Sequence, residues 1–373
     1  MLTASAWHKG HKDRVFGLDV LRAAAIIFVM WSHGHIYSKQ LLDVQYYRWL
    51  MWDGVGLFFV LSGFLIGQIL INIVLQNEFN FKTLMHFWWR RWFRTLPLYY
   101  LVLTVLVLLY FVAHKCLPPN VIAFYTFTQC FAWPHPLFFG EAWSLAVEEW
   151  FYILLPVALF LVFRFRGDKK KQLALVIFAL CLLGTIIRTY KAAGKDYLAD
   201  NTFGVEIMKQ VITRLDSIMY GVIAAWFLIF KKEQFFQFKN TFFVFGLMLM
   251  FVSVAMIHYS HFFHNYLYYS FTAIAVMCLL PKLSSLHTAT GKISQGIQFI
   301  SVISYSMYLS NFMLVQRGLM PVVIKYGHLN PEQHKMHSAL CLILFWLFTL
   351  ILSYLFYRFW EKPFLNWRLR LLK

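Results

Sequence analysis

Gly54-Val55-Gly56-Leu57-Phe58-Phe59-Val60-Leu61-Ser62-Gly63-Phe64-Leu65-Ile66-Gly67-Gln68-Ile69-Leu70-Ile71-Asn72-Ile73-Val74-Leu75 contains no charged residue. As a helix rising about 1.5 Å per residue, such a run is long enough to cross a hydrocarbon core of about 30 Å. Gly54, Gly56, Ser62, Gly63 and Gly67 thin one side of it, as helix packing in a membrane requires. Nine other stretches read the same way. The ten spans run roughly over 17–35, 52–75, 95–113, 141–163, 172–189, 211–230, 241–258, 263–281, 298–317 and 338–358.

The composition agrees. Apolar residues make up 60% of the chain and charged residues 13%, with 40 phenylalanines; soluble domains carry about 25% charged residues to cover their surface. Soluble enzymes, disordered chains and secreted disulfide frameworks are excluded. The expectation is an all-α polytopic membrane protein, a single transmembrane domain over 1–373. The first apolar stretch holds Asp19 and Arg22 and is followed by no small-residue cleavage site, so it reads as a span rather than a signal peptide. No internal repeat is found.

The net charge of +18 suggests nucleic acid only if the basic residues form a continuous face. Here they fall between apolar runs, so membrane topology explains them and no nucleic-acid partner is expected. With the N-terminus in the cytoplasm, the cytoplasmic segments hold 22 Lys and Arg and the opposite side 11. That bias and the even span number put both termini inside. The five cysteines show no metal spacing, and no metal is expected. Cys116 and Cys130 share one hydrophilic segment, where a disulfide and two free thiols are both open. Of the longer external segments, near 114–140, 190–210 and 318–337, the first carries Trp133 and His135 between prolines; it reads either as a cover over a site or as a plain connection.

Ionisable side chains inside spans are costly and need a partner or a cavity. Arg22 and His33 are eleven residues apart, close to three turns and about 16 Å along a helix, so they share a face at different depths. A neutral imidazole there can serve as general base, although a histidine at a helix end, as His35 is read, is often merely interfacial. The fourth span opens with Glu141, and Glu148 follows two turns later on the same face. Glu148 reads either as a structural ion-pair member or as a partner beside His33 at similar depth. Arg214 and Asp216 open the sixth span as an internally compensated pair or as part of the same cluster. Arg90, Arg91 and Arg94 suit phosphate oxygens, and they also suit anchoring to membrane lipid.

Together these segments resemble the acyltransferase-3 family of membrane O-acyltransferases. Gly17-Leu18-Asp19-Val20-Leu21-Arg22-Ala23 through His33 is similar to the family's first-helix signature, and residues 54–66 to its second-helix block. Arg91-Trp92-Phe93-Arg94, with Pro97, Tyr99 and Tyr100 following, fits its RxxR motif. Trp143-Ser144-Leu145-Ala146-Val147-Glu148-Glu149, Arg214-Leu215-Asp216, Ser304-Tyr305-Ser306-Met307-Tyr308-Leu309 and Glu361-Lys362-Pro363 follow in the family's order. Gly56 stands where the family often has an acid, and Asn311 where many members have a histidine. The likeness covers about 12–367 and resembles the stand-alone form without the appended hydrolase-like domain, so a second transfer step would need another protein.

The resemblance implies an acyl-CoA donor, acetyl by default, and a hydroxyl acceptor on an extracytoplasmic carbohydrate or glycolipid, in a bacterial inner membrane. It implies His33, Glu148, Asp216 and Asn311 as catalytic residues. Arg22, Arg90, Arg91, Arg94 and Tyr99 are implied for the donor, and Trp143, Ser144 and Arg214 for the acceptor. His33 is expected to deprotonate the acceptor with Glu148 holding the imidazolium, and Asn311 or Arg214 to stabilise the oxyanion. A route through acyl-His33 stays open. So does a carrier that uses the same buried charges as a proton relay, and a structural assembly partner.

Overall fold

The computed structural model describes residues 14–43, 49, 51–76, 79–193, 207–260 and 262–371. Lys9, Lys12, Arg48, Lys195 and Lys373 of the charge count, and most of the 190–210 segment, lie outside the described residues. Ten helices are long and apolar enough to cross a membrane: α1 (Phe16–Tyr37), α2 (Gly54–Leu75), α3 (Phe81–His114), α4 (Ala142–Val162), α5 (Lys169–Ala192), α6 (Val211–Phe230), α7 (Lys239–Ile257), α8 (Phe263–Ser284), α9 (Lys292–Tyr326) and α10 (Lys335–Arg368). There is no strand among the described residues. The chain is an all-α polytopic membrane protein.

All ten expected spans are present, and the differences lie at their ends. Helix α3 begins at Phe81, with Asn80 capping it by accepting from the Thr83 amide at 3.0 Å. Its first turns carry Lys82 and the three arginines, which lower the hydropathy there but do not interrupt a helix. Pro97 sits inside α3; nearby carbonyls are taken by side chains, Thr95 O by the Tyr305 hydroxyl (2.6 Å) and Pro97 O by the Trp360 indole (2.8 Å). Helix α9 continues past Ser310 through a π-helical stretch, Asn311–Leu319, to Tyr326, so half of the expected 318–337 loop is helical. Wide turns of this kind re-aim side chains inside an otherwise regular helix.

The small residues of α2 do what small residues in membranes do. A Cβ on Gly63 would lie 1.9 Å from Ile218 O of α6, and one on Gly221 of α6 would lie 2.0 Å from Val60 O of α2. The two backbones touch where both side chains are missing. Glycine at 54 likewise admits the Ala25 carbonyl of α1.

The segment 115–140 is packed into the bundle rather than a plain surface connection. Phe124, Cys130, His135 and Phe139 are buried. Phe124 O accepts from the Tyr99 hydroxyl at 2.8 Å, and Cys130 O accepts from the Val211 amide at 2.9 Å. His135 uses Nε2 toward Phe139 O, and burial pushes its pKa down to about 4, so it is a neutral packing residue. Cys116 is exposed and Cys130 buried, both free thiols.

Candidate functional site

Among the described residues, three cavities adjoin one another through shared wall residues. The outer chamber, about 510 Å³, is lined by His33, Asp53, Glu141, Trp143, Lys209 and Tyr269 among others. A waist of about 120 Å³ is lined by Arg22, Ser62, Arg91, Arg94, Ser144, Glu148 and Tyr152. A vestibule of about 550 Å³ is lined by Arg14, Asp19, Arg22, Gln68, Lys232 and His287. Val55 and Tyr308 line both chamber and waist. Arg22 and Leu65 line both waist and vestibule. Helix α1 therefore presents Arg22 at one level and His33 about 16 Å further on, the separation its sequence spacing predicts.

His33 is held by Asn311 at the first π-helical turn of α9. The Asn311 amide nitrogen donates to Met307 O (2.7 Å) and Tyr308 O (2.9 Å). Two carbonyls can only accept, so the Asn311 carbonyl oxygen must be the atom facing His33 Nδ1, and Nδ1 must carry the proton. That leaves the lone pair on Nε2, the form a base or nucleophile needs. The chain O of His33 accepts from the Gln316 amide at 2.7 Å, and the ring packs on Phe312 at 4.6 Å. With both amide hydrogens used, Asn311 has no donor left for an oxyanion. It orients the imidazole instead.

Glu148 does not stand beside His33. Helix α4 starts at the chamber and descends, so Glu148, seven residues after Glu141, lies about 10 Å deeper. It lines the waist with Arg22, Arg91 and Arg94, near Tyr152, whose hydroxyl is 3.4 Å from Glu148 Oε2. The acidic residues that line the chamber with His33 are Asp53, which is paired with Arg214, and Glu141. One Glu141 oxygen accepts from the Met313 amide at 3.3 Å; the other is buried with no hydrogen-bond partner. The signal for Glu141 was in the sequence, in the shared face, but the depth was assigned to the wrong member of the pair. Glu149 points to α3 and accepts from Thr95 Oγ1 at 2.9 Å.

The sixth-span pair is compensated from other helices rather than internally. Arg214 reaches Asp53 at 3.2 Å and lies 3.8 Å from the Tyr269 ring centre. It supports the chamber wall without lining it. Asp216 accepts from Arg188 at 2.5 Å, and Thr185 and Ser270 complete its surroundings. Arg188 and Asp216 are both fully buried and line none of the three cavities, so Asp216 ties α5, α6 and α8 together.

Of the expected donor residues, Arg22, Arg91 and Arg94 line the waist. Arg90 is exposed, and its carbonyl accepts from Arg368 at 3.3 Å. Tyr99 is buried, with its hydroxyl committed to Phe124 O. Trp143 lines the chamber and Ser144 the waist. The junction between them is Tyr308, whose hydroxyl is 2.5 Å from Ser144 Oγ and 3.0 Å from Glu141 O. Sequence reasoning quoted Tyr308 in a motif and gave it no role. It also missed Lys209, a chamber-lining cation that burial, with Arg317 nearby, holds below its ordinary pKa. No group of three or more potential metal ligands occurs among the described residues.

Among the described residues, a half-buried histidine lines one cavity and three arginines line the next. Residues 15–358 match the family described as "Acyltransferase domain", and the chain belongs to the acyltransferase-3 family. It is similar to the peptidoglycan O-acetyltransferase of Listeria monocytogenes serovar 1/2a, with 32% identity over 46% of this chain and 28% of that protein. It is also similar to a putative O-acetyltransferase of Staphylococcus aureus strain COL, with 27% identity over 94% of this chain and 58% of that protein. The O-acetyltransferase of S. aureus strain NCTC 8325 is 31% identical over 56% of this chain and 34% of that protein. The chain thus spans less than two thirds of each of these relatives. No solved structure matches.

Proposed function

We propose that the chain moves an acyl group, most simply acetyl, from acyl-CoA to a hydroxyl of an extracytoplasmic carbohydrate or glycolipid. The observation that carries this reading is the row of adjoining cavities, with cations at one end and an oriented histidine at the other. The basic bias of the sequence puts the arginine end in the cytoplasm and the His33 end outside, with both termini cytoplasmic. The whole chain, 1–373, is read as one acyltransferase domain, and bacterial relatives favour the inner membrane. Family membership favours acyl transfer over a carrier.

In this reading the pantetheine arm passes the waist and its thioester enters the chamber. His33 Nε2 takes the acceptor's proton as its oxygen attacks the thioester carbonyl. The tetrahedral adduct collapses, the C–S bond breaks, and the departing thiolate takes the proton from the imidazolium. Asn311 fixes the tautomer, and Glu141 and Asp53 are the acidic residues of the chamber. Lys209 is the cation placed to meet the oxyanion, since Arg214 sits behind Tyr269. The aromatic walls, Trp52, Trp143, Tyr268 and Tyr269, suit a sugar's apolar faces. Arg22, Arg91 and Arg94 meet the phosphate end of the arm, with Glu148 setting their spacing.

The test is thiol release from acetyl-CoA by the protein in nanodiscs with a carbohydrate acceptor. His33→Ala, with its fold checked by thermal unfolding, is expected to lose roughly a thousandfold in kcat. A folded His33→Ala that turns over undiminished overturns the assignment. Radiolabelled donor without acceptor separates direct transfer from an acyl-His33 route, because only the latter labels the protein.

A further inference from the structure

The waist is too small for a nucleotide. At about 120 Å³ it holds an unbranched arm, whereas ligand pockets for drug-sized molecules run from about 300 Å³ upward. A CoA thioester that reaches His33 must therefore leave its nucleotide on the arginine side. The vestibule, about 550 Å³, is the cavity there, and it shares Arg22 and Leu65 with the waist.

Its lining fits a phosphorylated nucleoside. Arg14, Arg22 and Lys232 face one carboxylate, Asp19. Asp19 is already engaged by Arg14 and by Ser301 Oγ at 2.7 Å, with Arg22 at 3.7 Å. Lys232 and His287 are exposed side chains that make no hydrogen bond or ion pair among the described residues, so the vestibule holds an uncompensated lysine cation and an uncommitted imidazole at its solvent side. Ser284 Oγ is buried, 8% exposed as a residue, and has no hydrogen-bond partner. A buried hydroxyl without a partner, in the wall of a cavity, is a group waiting for a ligand. Gln68 donates its amide to Phe64 O at 3.2 Å, which leaves its carbonyl oxygen to accept from an exocyclic amine.

We propose that the vestibule binds the 3′-phosphoadenosine end of the CoA donor, with Lys232 and His287 holding the 3′-phosphate and the pyrophosphate lying toward Arg22. This rests on the acyl-CoA reading above and moves the nucleotide away from Arg90–Arg94, where the sequence alone placed the phosphates.

The probes are adenosine 3′,5′-bisphosphate and 5′-AMP, titrated by calorimetry into the protein in phosphatidylcholine nanodiscs. The bisphosphate should bind roughly tenfold more tightly than 5′-AMP, the effect of one charge-assisted contact. Lys232→Ala and His287→Ala should remove that preference. In turnover, each should raise KM roughly tenfold for acetyl-CoA and leave KM for acetyl-dephospho-CoA unchanged. Equal binding of the two nucleotides to the wild type overturns the proposal, as does an equal loss on both donors in the variants. So does loss of bisphosphate binding when phosphatidylglycerol is added to the nanodiscs, which would make the vestibule a lipid-headgroup site. Thiol release that ignores the 3′-phosphate overturns the vestibule assignment alone. Absence of thiol release from either donor, with carbohydrate acceptors present, overturns the acyl-CoA reading itself.

Discussion

The outer chamber and the vestibule are nearly equal in volume, about 510 and 550 Å³, and opposite in character. The vestibule has three permanent cations around one occupied carboxylate. The chamber mixes Asp53, Glu141 and Lys209 with His33 and a wall of tryptophan and tyrosine. On the reading proposed above, one end holds a fixed polyanion, and the other moves a proton beside an uncharged, partly apolar molecule. The same helices furnish both. Helix α1 gives Arg22 to one level and His33 to the other, and α4 gives Glu148 and Glu141 in the same way. The lesson is that in a transmembrane site the position along a helix decides the role of a residue as much as its face does.

The contrast can first be sharpened with a residue that belongs to neither end. Arg188→Met leaves Asp216 as an uncompensated buried charge, which costs about 3–5 kcal/mol for pairs of this kind. The expected outcome is a large fall in thermal stability with donor and acceptor KM unchanged in whatever protein stays folded. Unaltered stability together with a collapse of kcat would return Asp216 to the active site and undo the division drawn here.

The second test sets the two carboxylates of α4 against each other. Glu141→Gln alters a carboxyl group that lines the chamber with His33 and is expected to lower kcat roughly a hundredfold with donor KM unchanged. Glu148→Gln removes the carboxylate that lines the waist with the arginines, so the donor KM should move and kcat should change far less. The reverse pattern would restore Glu148 to the partnership with His33 that the sequence suggested.

That reversal of roles shows what was legible in the sequence and what was not. The ten spans were legible because uninterrupted apolar runs leave few alternatives in a bilayer. The first turns of α3 were not, because the arginines that line the waist depress the hydropathy of the very helix that positions them. His33 and Arg22 were correctly read as sharing a face, since both lie on one helix and three turns fix their relation. Glu148 was misplaced because matching it to His33 needed the depth of a second helix. Asp216 found its partner in Arg188, on α5, and Asn311 its carbonyl partners one turn back at a π-helical start. Pairings between helices and changes of helical pitch leave no local pattern. Lys232 and His287, proposed above as ligands, carry no such signal in the sequence, since basic residues near span ends read first as topology signals.

The smallest effect is expected at the junction of the two regions. Tyr308 lines both chamber and waist, and its hydroxyl bridges Ser144 and the Glu141 carbonyl. Tyr308→Phe keeps the ring that narrows the passage and removes one hydroxyl, so the fold should hold. Losing a hydrogen bond of this kind is worth about 1 kcal/mol, enough to loosen the closure a few-fold. Water then reaches the thioester more often when no acceptor is bound, and acceptor-independent thiol release should rise roughly threefold. Acyl transfer with saturating acceptor should stay within a factor of about two, because His33, Asn311 and Glu141 keep their side chains. The ratio of hydrolysis to transfer is the quantity to measure, with Ser144→Ala as its companion. If both variants leave that ratio at the wild-type value, the chamber and the waist are one open passage at this level, and the separation of the two ends rests on charge alone.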